Sequence, residues 1–143
     1  MSSTQTISET KMKASVKLIC YIASSLLIIM GIFHGSGINY LTEIVQDSNV
    51  SDLVKDIFPV LFIIPSIQLI GLAVLGIMVA SMGKYAYRIL LLLTILVLID
   101  AILAFYLNAL IPGLILSIPA FMFLFASVRL SSASHKRPSD EAL

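Results

Sequence analysis

The chain has 143 residues, 59% hydrophobic and 12% charged, with a formal net charge of +1 and a mean hydropathy of +1.04. A soluble domain carries about 25% charged residues, so this composition excludes a water-soluble surface, and the near-neutral charge suggests no nucleic-acid partner. Cys20 is the only cysteine, which excludes an intramolecular disulfide and any cysteine-pair redox or metal motif.

Met1–Lys13 is polar and rich in Ser and Thr, and it reads as a disordered tail. Lys11, Lys13 and Lys17 then precede the apolar run Leu18–Phe33. The outline is that of a secretory signal, with small residues at Gly35-Ser36-Gly37. The run is longer than the usual signal core of about 7–15 residues and continues past it. An uncleaved first span over residues 14–37 is therefore expected.

Residues 38–56 form the one sizeable loop, where Glu43, Asp47, Asp52 and Asp56 face a single Lys55. Ile38, Leu41, Ile44 and Val45 recur at helical spacing, which predicts a short helix lying on the membrane surface. Ser51 or Asp52 is placed to cap the helix that follows. Asn49-Val50-Ser51 matches the glycosylation acceptor pattern. Asp47-x-Asn49-x-Ser51 begins like a calcium loop, but Asp52 replaces the turn glycine and Phe58 the final glutamate, so no calcium site is expected.

The second span covers residues 57–82 and contains Pro59 and Pro65; Gly83-Lys84 makes a tight turn into a third span over 85–107. Asn108–Pro112 turns the chain again, with Pro112 at a favoured first-turn position. The fourth span, 111–130, carries Pro119, and residues 131–143 form a polar tail. The fold class is all-α: an integral membrane four-helix bundle running up-down-up-down. Lys11, Lys13, Lys17, Lys84, Arg88, Arg129, Lys136 and Arg137 fall on one side and only Lys55 on the other. The positive-inside rule then makes both termini cytoplasmic.

Helical periodicity predicts which faces meet. With Asp100 at zero, Ala104, Asn108, Ala101 and Thr94 lie at about 40°, 80°, 100° and 120° on the wheel of the third span. Leu91, Leu92, Ile95, Leu98, Ile99, Ile102, Leu103, Phe105 and Tyr106 occupy the opposite arc. Small residues let helix backbones approach in membranes, so the small arc is expected to pack. Cys20, Ala23, Ser24, Gly31, His34 and Gly35 form such an arc in the first span, opposed by Ile22, Leu26, Ile29 and Phe33. Gly31-x-x-x-Gly35 is a small-xxx-small motif, read as a packing contact within the bundle. Pro65, Ser66, Ala73, Gly76 and Ala80 cluster in the second span, with Gln68 off that arc, and Gly113, Ser117, Ala120 and Ser127 cluster in the fourth.

Asp100 is the one charge in Ile89–Leu107. It lies twelve residues along from Arg88, or about 18 Å into a hydrocarbon core about 30 Å thick. A carboxyl at that depth is costly and marks a functional group by default. Ser66, Gln68 and Ser117 come out at similar depths, and Pro65 and Pro119 free backbone carbonyls there, so a polar layer around Asp100 is expected. With no cation at its level, Asp100 is expected to be neutral and to donate a hydrogen bond. It either couples protons or binds a ligand, or it serves only to lock the bundle. His34, near the outer boundary, reads either as a ligand or proton-entry group or as an interfacial side chain bonded to a loop. No second histidine lies in a span, so a bis-histidine haem within one chain is excluded. The chain has no His-Glu-x-x-His, no Gly-rich phosphate loop and no paired carboxylates in a span, so neither a metal nor a catalytic site is expected. No cofactor is expected; a quinone or a lipid is the ligand class left open.

The layout from Lys17 to Leu130 resembles the DoxX-like small four-helix membrane proteins: a first helix, an extracytoplasmic loop, then three closely spaced helices. The resemblance implies a partner-bound accessory subunit, some relatives being associated with membrane oxidoreductase complexes. The function expected is an accessory or assembly subunit, with other membrane subunits or further copies of the chain as partners. The alternative is a proton-coupled carrier or binder of a small lipophilic molecule that uses Asp100.

Overall fold

The computed structural model describes residues 3–82 and 86–135, with side chains over 14–82 and 86–132. Among the described residues there are five helices and no strands: α1 (Ser3–Ser36), α2 (Ile38–Gln46), α3 (Asp52–Ser81), α4 (Ala86–Tyr106) and α5 (Leu110–His135). Four of them, all but α2, are long and apolar enough to cross a membrane. The protein is a small multi-pass membrane protein built as an antiparallel four-helix bundle.

α1 starts at Ser3, so the backbone of residues 3–13, where the sequence suggests a disordered tail, continues the first helix. No Gly or Pro interrupts Ser3–Met30, so nothing in the local chemistry stops the helix from extending. The Gly83-Lys84 turn and the side chains of Lys11, Lys13, Lys84, His135, Lys136 and Arg137 lie outside the described residues.

The loop expected at 38–56 contains α2, which buries none of its residues in the bundle, as a helix lying on a membrane surface does. Gln46 Nε2 donates to the carbonyl of Lys55 at 3.3 Å and ties α2 to the start of α3. Ser51 is the N-cap of α3, with its backbone extended and its carbonyl receiving the amides of Val54 and Lys55. Its side chain makes no capping bond; Asp52 supplies the negative charge in the first turn instead.

The α4–α5 hairpin has a clear local cause. Asn108 adopts a left-handed conformation, φ 59°, which asparagine tolerates better than most residues. The amide of Ala109 then bonds the carbonyl of Ala104 at 2.9 Å, and that of Asn108 bonds Phe105 at 3.0 Å. This is a Schellman termination, which satisfies carbonyls that the helix end would leave bare. Gly113, early in α5, lies against the ring of Phe105, whose atoms stand 2.8 Å from where a Cβ would be.

The four long helices form a ring in which α1 meets α3 and α5, and α4 meets α5 and, along a thin seam, α3. The centre is filled by Phe123, Leu27, Leu90, Leu93, Val79 and Val97, all fully buried. Gly76 of α3 faces this centre, and a Cβ there would collide with Ser24 Oγ and stand 3.0 Å from the Phe123 ring. On α4 the predicted outer arc, Leu91 through Tyr106, is exposed at every one of its positions. Leu90, Leu93 and Val97 share the buried arc with Thr94 and Ala101, so large side chains and small ones alternate along it.

α1 receives α3 at Gly31 and Gly35. A Cβ on Gly31 would stand 3.0 Å from the Ser66 carbonyl and from Ile70 Cγ1, and one on Gly35 3.2 Å from Ser66 Oγ. The absence of side chains lets the two backbones approach. Cys20, Ala23 and Ser24 are buried on the same face of α1. Ala73, Gly76, Ala80 and Ser66 are buried on α3, but Pro65, placed with them by the wheel, is exposed. Two prolines within α3 distort its pitch, so residues far apart along it cannot share one ideal wheel. On α5 Gly113, Ala120 and Ser127 are buried and Ser117 is half-buried.

Candidate functional site

Gln68 on α3 and Asp100 on α4 meet across the thin seam between those helices. Gln68 Nε2 donates to Asp100 Oδ1 at 3.0 Å and to Oδ2 at 3.2 Å. Asp100 is half-buried and stands at the edge of the packed face of α4; Gln68 is exposed on the outer surface of α3. Around them Ile64, Ile67, Ile99 and Leu103 are exposed apolar side chains. In a bilayer such side chains face acyl chains, which supply no hydrogen bonds. Among the described residues Gln68 Oε1 accepts no bond, and Gln68 is the only side chain that bonds Asp100.

The other residues expected in a shared polar layer stand elsewhere. Ser66 is buried against Gly35 of α1, and its hydroxyl has no partner among the described residues. Ser117 turns its hydroxyl back to the Gly113 carbonyl at 2.8 Å, and Thr94 does the same to Leu90 at 2.9 Å. The expected layer thus resolves into one inter-helix pair and separate hydroxyls. Ser66 and Gln68 are two positions apart, about 200° around a helix, so only one of them can reach α4.

Sequence reasoning passed over Gly71. It is exposed on α3, three residues from Gln68, and a Cβ there would meet nothing within 4 Å. Gly71 therefore faces outward within one turn of Gln68, and no side chain covers the α3 backbone there. The signal was present in the spacing: residues three apart on a helix are neighbours on one face. Ala104, one turn along from Asp100, is half-buried, and Ala101 is fully buried.

His34 lies at the α2 end, some distance from the pair along the helices. Its ring stacks on Phe62 with centroids 4.5 Å apart, and Phe62 in turn stacks on Phe58. The imidazole Nε2 is enclosed and has no hydrogen-bond partner among the described residues. His34 and Phe62 line an open cleft of 380 Å³ with Met30, Leu41 and Pro112, mostly apolar. At the opposite end Ser127 Oγ donates to the Tyr87 carbonyl at 2.8 Å and joins α5 to α4. Among the described residues no group of three His, Cys, Asp or Glu side chains converges to hold a metal ion.

The chain is similar to no family model, no curated protein and no solved structure.

Proposed function

We propose that the protein is an accessory subunit of a membrane complex, its termini cytoplasmic, and that a transmembrane helix of a partner docks on the α3–α4 seam. The observation that carries this reading is the position of the Gln68–Asp100 pair: mid-span and open to the outside. An acidic side chain facing lipid costs on the order of 2.5–3.5 kcal/mol at the bilayer centre. A docked helix removes that cost by bonding the pair and excluding lipid. Gly71 supports the same reading, because its uncovered backbone lets a second backbone come close. The DoxX-like layout agrees with a partner-bound role. The carrier reading draws on the same acid but needs a chain of polar groups leading from it to water. Ser117 and Thr94 bond their own helices, and among the described residues only Gln68 bonds Asp100.

A photo-crosslinking residue at Ile67 or Leu103, tested in native membranes, should give adducts with one foreign membrane protein. The same probe at Phe121, exposed on α5, should not. Gly71→Leu should abolish the adducts while leaving thermal stability intact, because the space at Gly71 is empty. Adducts with lipid alone, or with a second copy alone, would overturn the reading.

A further inference from the structure

We infer that the helix docking on this seam carries a basic residue, arginine or lysine, at the depth of Asp100. The inference rests on the docking reading above and names the chemistry of its partner. The seam presents three oxygens, the two of Asp100 and Oε1 of Gln68, and one donor group, the Gln68 amide nitrogen. That nitrogen is already divided between both carboxyl oxygens, at 3.0 and 3.2 Å. Neutral when alone in the span, Asp100 ionises when a cation docks beside it, and the carboxylate then accepts about four bonds, so towards such a partner the surface offers more acceptors than donors. Its complement is a group that only donates. A guanidinium brings five N–H donors and an ammonium three, and neither accepts. A serine or asparagine would bring acceptors of its own to a surface already rich in them.

The chain holds no such group at this level. Lys17, Arg88 and Arg129 stand towards one end of the bundle and Lys55 at the other; every remaining Lys or Arg lies outside the spans in sequence. Arg88 is twelve residues from Asp100, about 18 Å along α4. A second copy brings the same oxygens and the same lack of a cation, so self-association through this seam would set acid against acid. The complement is a different chain. Gly71 fits this geometry, because a close backbone approach shortens the reach a basic side chain must span.

The test uses the full chain, fluorescently labelled and reconstituted in phosphatidylcholine vesicles. It is paired with tryptophan-flanked Leu/Ala model helices carrying Arg, Gln or Leu at their centre. Energy transfer should report association of the Arg helix about tenfold stronger than that of the Leu helix, and stronger than that of the Gln helix. Asp100→Asn, which keeps the size and one acceptor, should lose the preference for Arg; Asp100→Glu should retain it, which shows that the bundle itself is intact. A Gln helix that binds as well as the Arg helix, or an Arg preference that survives Asp100→Asn, overturns the inference and leaves the docking reading to its own crosslinking test. Equal or absent association of all three helices overturns it as well. So does stronger transfer between two copies of the chain than to the Arg helix.

Discussion

Gln68 and Asp100 offer a direct measurement at the scale of single residues. A double-mutant cycle of Gln68→Leu and Asp100→Leu, followed by reversible unfolding in mixed micelles, should give a coupling of about 1 kcal/mol. A coupling indistinguishable from zero would mean that the two side chains do not meet. His34 makes the opposite prediction. Its ring stacks on Phe62 while Nε2 goes unpaired. His34→Phe keeps the stack and removes an enclosed nitrogen without a partner, so thermal stability should hold or rise by up to about 1 kcal/mol. His34→Ala should lose about 2 kcal/mol by giving up the ring. The edge position of Asp100 was legible in the sequence, because it follows from the rotation per residue. Its partner was not. Depth ranks Ser66, Gln68 and Ser117 alike, whereas the choice depends on which way α3 is turned, and Ser117 satisfies itself on the carbonyl of Gly113, as serines in helices commonly do.

At the scale of helices, the seat of α3 on α1 separates two glycines that look alike in sequence. Gly31 faces backbone, the Ser66 carbonyl, and Gly35 faces a rotatable hydroxyl. Gly31→Ala should therefore destabilise the bundle by about 1–3 kcal/mol, with Gly35→Ala costing clearly less, as read by thermal unfolding in detergent. Equal effects would mean that the two helices do not approach most closely at Gly31. The spans, the surface helix α2 and the outer arc of α4 were all legible, since each follows from hydrophobic periodicity or turn chemistry. The unevenness of the ring was not. Short connections promise neighbours but not equal contact, and α3 and α4 touch thinly because α3 gives its small residues to α1 and to Phe123.

At the scale of the whole molecule, an even number of spans would put both termini on one side of the bilayer, and the excess of basic residues predicts the cytoplasmic side. In a Cys20→Ala background, impermeant maleimide on intact cells should label Asn49→Cys, which sits in the exposed connection between α2 and α3, and should not label His135→Cys. The reverse pattern would invert the protein. The ring also divides by seam width. α1 with α3, and α4 with α5, form broad contacts, joined along the chain only through residues 82–85. During synthesis the first pair can close before the second has left the ribosome, so two successive hairpin insertions are the expected route to the bilayer. Two co-expressed polypeptides, 1–83 and 84–143, should then find each other and rebuild the bundle along α1 and α5.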